Sequence, residues 1–297
     1  MKIIGLLNLG NTCYVNSVLQ CFLYDPLFQK ILIENKNVIN NLLFDIISNI
    51  DLTENNEKLI VPYNLSKFLD YFISKKSWFI KFQQNDSHDF LTNFLDLLCN
   101  PQNLKLSGND PDILWNIFLK NNDSPFTDIY HGQTKTSIKC CNCNSVSVKY
   151  EEFNTINLSI NGINNLTELF INYLRKEIQD DPKNLYYCET CKCQHVSEKK
   201  IAIYRLPPRL ILVLKKYSKK NNILINNFLI KEQISSEIKK YKLSGIVNHS
   251  GNLHDGHYTS NVLINNNWYY FNDHVISLQN TMKFNNQDAY ILFFSAI

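Results

Sequence analysis

Apolar residues recur at helical spacing through the first third of the chain and at alternate positions through most of the remainder. Val15, Val18, Leu19 and Phe22 fall on one face of a helix beginning near Cys13. The stretches Val38 to Ile50, Leu65 to Phe72 and Asp86 to Leu98 repeat that period. From Ile129 onward, TSIKCCNCNSVSVKYEEFNTINLSI and KKIAIYRLPPRLILVLKKYS read as strands. A helix predicted over Leu166 to Ile178, opening with Thr167 and Glu168, interrupts them. Later, Tyr258, Ser260, Val262 and Ile264 alternate as a strand, and a polar turn leads to a second strand through Trp268, Tyr270 and Phe271. Helices first and strands afterwards predict an α+β chain.

Composition narrows the picture mainly by exclusion. With 297 residues, 44% of them hydrophobic and 19% charged, the chain can bury a substantial core in one large domain or two. A formal net charge of +3 is too small and too evenly spread to suggest a nucleic-acid partner. The densest basic cluster, Lys215, Lys216, Lys219 and Lys220, reads as the solubilising end of a strand. No run reaches the roughly 18 apolar residues of a membrane span. The N-terminal MKIIGLL resembles a signal peptide only until Asn8, so the cytosol or nucleus is the expected compartment. Asn makes up roughly one residue in seven, which reads as a bias of the coding sequence before any sign of disorder.

Candidate chemistry begins at GLLNLGNTCYVNSVLQCF, Gly5 to Phe22. Glycines permit a sharp turn, and Asn11 and Thr12 are both candidate caps for the helix that follows. Cys13 then lies at a helix N-terminus, where the macrodipole favours thiolate over thiol. Far downstream, GNLHDGHYTSNVLINNNWYYFND supplies a base: His257 near the start of one strand can lie beside Asn272 or Asp273 at the end of the next. A thiolate needs an imidazole to take and return its proton, and the imidazole needs an acceptor to fix its tautomer. The order Cys, His, Asn or Asp is that of papain-like thiol proteases.

The nine cysteines carry a second signal. KCCNCN and YCETCKC each hold a C-x-x-C pair, Cys140 with Cys143 and Cys188 with Cys191, and together they offer the four thiolates of a structural zinc site. Cys141 and Cys193 are further thiols that either swap into the site or stay free. Disulfides compete with this reading, but an odd total and the absence of a secretory signal favour a reducing compartment.

Five ordered segments resemble those of the ubiquitin-specific proteases. GLLNLGNTCYVNSVLQ is similar to that family's Cys box, and HSGNLHDGHYTSNV with WYYFND is similar to its His box. QNDSHDFLTNFLDLL, from Gln84, resembles its QQDAHEF helix, LPPRLILVLKKYS its LPxxLxLxLKRF strand, and NNQDAYILFF its closing strand. The resemblance implies a papain-like fold with a helical thumb (1–110), zinc-tipped β-ribbon fingers (129–205) and a β-sheet palm (206–297). It also implies a deubiquitinating cysteine protease in which Cys13 is the nucleophile, His257 the base and acid, and Asn272 the third member, with Asp273 as the alternative. Asn8 would donate to the oxyanion with the Cys13 backbone N–H. Gln84, Asp86, Asp89, Gly256 and Tyr258 would line the channel for ubiquitin's basic Leu-Arg-Leu-Arg-Gly-Gly tail. One structural zinc, no catalytic cofactor, a monomer, ubiquitin and ubiquitinated proteins as partners, and neither nucleic acid nor membrane complete the expectation. A protease for another ubiquitin-like modifier and a silent ubiquitin-binding scaffold are the alternatives.

Overall fold

The computed structural model describes residues 3–51, 62–99, 110–215, 222–251, 256–279 and 285–297. Among the described residues seven helices come first: α1 (Cys13–Leu23), α2 (Pro26–Glu34), α3 (Val38–Asp51), α4 (Ser66–Lys75), α5 (Ser87–Cys99), α6 (Pro111–Asn121) and α7 (Pro125–Tyr130). The sequence reading contained α1, α3, α4 and α5 but not α2, α6 and α7. Those three share a local cause. Each starts with Pro at its first position, preceded by a residue whose side chain accepts from the first-turn N–H groups: Asp25 from Leu27, Asp110 from Asp112 and Ile113, and Ser124 from Phe126.

Strands then alternate with one further helix. They are β1 (Gly132–Cys140), β2 (Val146–Phe153) and β3 (Ile156–Ser159), followed by α8 (Leu166–Tyr173), β4 (Glu177–Gln179), β5 (Tyr186–Cys188), β6 (Cys193–His195) and β7 (Ser197–Arg205). The series continues with β8 (Arg209–Lys215), β9 (Ile223–Leu224), β10 (Phe228–Lys231), β11 (Ile238–Gly251), β12 (Gly256–Ile264), β13 (Asn267–Asn272), β14 (Val275–Gln279), β15 (Asn285–Asn286) and β16 (Ala289–Ala296). The expected helix to Ile178 stops at Tyr173. β7 offers an edge there, and Glu177–Gln179 take its backbone hydrogen bonds as β4.

The larger sheet runs β14-β13-β12-β11-β16-β8-β3, with β10 also paired to β11, and only β3 and β8 are parallel. Both of its faces are covered. Ile211, Val213, Val247, Ile291 and Phe293 pack against the helices α1 to α5 and α7, while Leu210, Leu212, Leu214, Leu292 and Phe294 pack on the opposite side with α8. The continuous apolar run of β8 follows, since a strand covered on both faces need not alternate. Phe22 of α1 sits among the rings of Phe28, Phe94, Tyr130 and Phe293, with centroids 5.2 to 5.4 Å away. Burying such a ring contributes about 2–3 kcal/mol, so α1 is set firmly against the sheet. The second sheet, β2-β1-β7-β4, projects as a ribbon and carries the β5–β6 hairpin in the chain between β4 and β7.

Candidate active site

Cys13 is the first residue of α1, and its thiol is buried. The loop before it is shaped by side chains. Asn8 Oδ1 accepts from the N–H groups of Gly10 (3.0 Å) and Thr12 (3.2 Å), and Thr12 Oγ1 accepts from Leu9 N–H (3.0 Å). Neither Asn11 nor Thr12 caps α1 with its side chain, contrary to expectation: Thr12 Oγ1 is spent on Leu9, and Asn11 is turned into the left-handed region at φ 54°. The first N–H groups of the helix are left for other acceptors.

The thiol uses them. Burial pushes Cys13 above its ordinary range, the Tyr258 backbone N–H opposes this, the Asp273 charge pushes it up further, and the N–H groups of Tyr14 and of Cys13 itself bring it down. The net direction is upward. The thiolate preference expected from the helix N-terminus is therefore overturned by desolvation, and the resting group is a thiol.

His257 and Asn272 are brought together. His257 follows Gly256 at the start of β12, Asn272 ends β13, and the two strands pair with Ser260 opposite Phe271. Asn272 Oδ1 lies 2.7 Å from His257 Nε2. An amide oxygen can only accept, so Nε2 carries the proton and Nδ1 is the basic nitrogen. Among the described residues, Cys13 Sγ makes no hydrogen bond to His257. The palm group at the thiol is the N–H of the next residue, Tyr258.

Asp273 has a different place from the one considered for it. Its Oδ2 accepts from Asn8 Nδ2 (2.9 Å) and its Oδ1 from Asn16 Nδ2 (2.7 Å), so it braces the Cys13 loop and does not orient the imidazole. The cause is local backbone geometry. Asp273 sits at φ 52° immediately after β13, and Leu6 N–H donates to its carbonyl at 3.1 Å. Gly5 makes this approach possible, because a Cβ there would lie 2.4 Å from the His274 carbonyl oxygen. Asn16, buried and also donating to the Leu7 carbonyl at 3.2 Å, was not singled out from the sequence. Its signal was present: a polar residue one turn after Cys13 on the buried side of α1.

The remaining candidates line the cleft between α5 and the palm. Gln84 Nε2 donates to the Gly256 carbonyl. Asp86 stands three positions before Asp89, whose carboxyl feels its charge. It precedes α5, accepts from His88 N–H (2.6 Å), and receives the Tyr290 hydroxyl at 3.0 and 2.9 Å. Asp89, in the first turn, is exposed, and desolvation followed by the Asp86 charge holds its carboxyl above the usual range. Tyr258 is buried and stacks on His249 with centroids 4.5 Å apart. Tyr290 is a further residue the sequence reading missed. Of the basic cluster, Lys216, Lys219 and Lys220 lie outside the described residues, as do positions 252–255 of the His segment.

At the end of the ribbon, the Sγ atoms of Cys140, Cys143, Cys188 and Cys191 all lie within 4.8 Å of one another. Tetrahedral thiolates about 2.3 Å from one ion stand roughly 3.8 Å apart, so the set fits a single metal. Ser145 Oγ stands 3.0 Å from Cys143 Sγ and 3.3 Å from Cys188 Sγ. Cys141 and Cys193 are exposed and stand outside the cluster, and Cys193 Sγ faces His195 Nε2 at 3.1 Å. Among the described residues, no helix is long and apolar enough to cross a membrane.

A family model described as ubiquitin carboxyl-terminal hydrolase matches residues 4–294. Ubiquitin carboxyl-terminal hydrolase 25 of Arabidopsis thaliana is 29% identical over 98% of this chain and 47% of its own length. Ubiquitin carboxyl-terminal hydrolase 2 of Homo sapiens is 26% identical over 98% of this chain and 54% of its own. This chain thus spans about half the length of these two relatives. Among solved structures, a SAGA DUB module of Ubp8, Sgf11, Sus1 and Sgf73 bound to monoubiquitin superposes with a TM-score of 0.76 at 21% identity. That match covers 99% of this chain and 69% of the other, and it establishes a shared fold.

Proposed function

The chain belongs to the ubiquitin carboxyl-terminal hydrolase family, and from that premise we propose that it is a cysteine protease cleaving the peptide or isopeptide bond after the terminal glycine of ubiquitin. The observation that carries the reading is the 2.7 Å contact between His257 Nε2 and Asn272 Oδ1, in a strand whose next N–H reaches the Cys13 thiol. His257 Nδ1 takes the thiol proton, Cys13 Sγ attacks the scissile carbonyl carbon, and the developing oxyanion is met by Asn8 Nδ2 and the Cys13 N–H. Collapse breaks the C–N bond, the imidazolium returns its proton to the departing amine, and a Cys13 thioester remains. Water, deprotonated by His257, then releases the ubiquitin carboxylate and the free thiol.

With burial holding Cys13 as a thiol, the attack depends on a base and is not the action of a preformed ion pair. The approach of His257 to Cys13 then belongs to the substrate complex, in which catalytic hydrogen bonds tighten. The exposed carboxylate of Asp89 is free to meet an arginine of the ubiquitin tail, while Asp86, held by Tyr290, sets the wall of the channel. Cys140, Cys143, Cys188 and Cys191 would hold one structural zinc, closed to water and remote from the chemistry.

Incubation with a ubiquitin C-terminal electrophile, followed by mass mapping, tests the assignment. The expected adduct is on Cys13. Modification at another cysteine, or none with ubiquitin but one with the tail of a different modifier, refutes it.

A further inference from the structure

After α4 the chain presents Trp78, Ile80 and Phe82 at alternate positions, exposed by 62%, 54% and 55%. Phe79 between them is 2% exposed and packs on Phe72 (centroids 5.1 Å apart) and on Tyr14 (6.4 Å), the residue after Cys13. Single exposed apolar side chains are ordinary, but three large ones within five residues, rooted in the core, form a patch. The root is rigid. Phe82 sits at φ 66°, a conformation that costs a bulky L-residue about 1–3 kcal/mol and persists only where its surroundings enforce it. Here Asn11 Nδ2 holds the Phe82 carbonyl at 2.9 Å, and the Phe82 ring lies against Gly10, where a Cβ would meet it at 3.1 Å. Two residues further on, Gln84 ties the segment to Gly256. The ledge is thereby fastened to the Cys13 loop and to the His257 strand.

Its charges are already matched. Lys76 pairs with Asp96 (3.6 Å) and Lys81 with Asp70 (2.5 Å), and both ammonium groups stand 5.5 Å from ring centroids, of Trp78 and Phe82 respectively. An apolar centre flanked by paired lysines is the make-up of a protein-docking patch. The acidic and aromatic group of Asp86, Tyr258 and Tyr290 reaches the cleft through α5 and the palm strands and suits ubiquitin's basic tail. The ledge is joined to it at the Cys13 loop as well, through Gly10 and Asn11.

We infer that Trp78, Ile80 and Phe82 dock the polypeptide on the leaving-group side of the scissile bond, an apolar surface of the protein whose lysine carries ubiquitin. This rests on the deubiquitinase reading above. Tethering at Cys13 gives such a surface a high effective concentration at the ledge, so a weak contact suffices to favour one conjugate over another.

The test compares leaving groups. The double variant Trp78→Ser/Ile80→Ser, which leaves Phe82 in place, is assayed on the coumarin amide of ubiquitin and on di-ubiquitin in the lysine linkage the unsubstituted chain cleaves fastest. The expected result is about a tenfold fall in kcat/KM on di-ubiquitin, with the coumarin amide within about twofold of the unsubstituted chain. Equal falls on both, no fall on either, or an unsubstituted chain that cleaves no di-ubiquitin would overturn the inference. So would loss of binding to phosphatidylserine vesicles with di-ubiquitin turnover intact, which would assign the ledge to a lipid surface. An unsubstituted chain inert toward the coumarin amide is a distinct result, and it refutes the deubiquitinase reading instead.

Discussion

Cys13 lies inside the larger of two apolar cores, whereas Cys140, Cys143, Cys188 and Cys191 lie at the end of a ribbon with little core of its own. Around Cys13, the rings about Phe22 and the amide side chains of Asn8 and Asn16 fix the backbone whether or not a sulfur is present. Along the ribbon, the buried apolar residues from Gly132 to Phe153 and from Glu177 to Lys200 are Cys140 and Cys188, while Val146 and Ile178 face solvent. A hairpin of two three-residue strands such as β5–β6 is not stable alone. The same side chain thus has opposite duties. In one place the fold positions the thiol; in the other the four thiols, with a metal between them, would hold the fold.

Substitution should separate the two most sharply. Cys13→Ala removes the nucleophile and is expected to abolish turnover, a fall of about 10⁴ or more, with the thermal midpoint nearly unchanged. Cys140→Ser/Cys188→Ser, or chelation of the metal, should do the reverse. It should cost about 3 kcal/mol or more locally, read as faster amide exchange at residues 140–145 and 186–195 and unchanged exchange in α1. Hydrolysis of a short C-terminal peptide should be far less affected than that of full ubiquitin. Metal-free protein with full protection at the tip would break the comparison.

Within the cleft, a smaller effect tests how the amides divide their work. Asn8→Ala should lower kcat by about 10² to 10³. Because Asp273 binds Asn8 and Asn16 and not the imidazole, Asp273→Ala should act through the same oxyanion donor. The pair Asn8→Ala/Asp273→Ala should then fall well short of additive, while Asp273→Ala combined with Asn272→Ala should add. Additivity in the first pair would show that Asp273 acts elsewhere.

Much of this was legible in the sequence, for reasons that differ by region. α1, α5 and the palm strands announce themselves because each buries one periodic face or a continuous apolar run. α2, α6 and α7 were announced by Asp-Pro, Asp-Pro and Ser-Pro starts, a capping signal weaker than periodicity over such short segments. The expected helix ran on past Tyr173 to Ile178 because local sequence does not reveal a sheet edge nearby. In the cleft, spacing alone placed His257 beside the end of β13. It could not choose between Asn272 and Asp273, because the choice is made by one left-handed residue and by the approach of Gly5, neither of which has a pattern. Tyr290 escaped for a related reason: its hydroxyl meets Asp86 only after 204 positions of chain have folded between them.

The finest test concerns the thiol itself. Burial is the main cause of the raised Cys13 titration, and the Asp273 charge adds to it against three backbone N–H groups. A small alkylating agent reacts with the thiolate, so its rate with the free protein should climb with pH through a midpoint above the ordinary thiol value of about 8.5. Asp273→Asn removes a negative charge that disfavours the thiolate, so the midpoint should move down while staying above that ordinary value, since desolvation remains. The rate is read at Cys13 by mass mapping, because Cys141 and Cys193 at the tip are exposed thiols that also alkylate. A midpoint below the ordinary value would mean that the helix N-terminus outweighs burial after all, and Cys13 would then rest as a preformed thiolate.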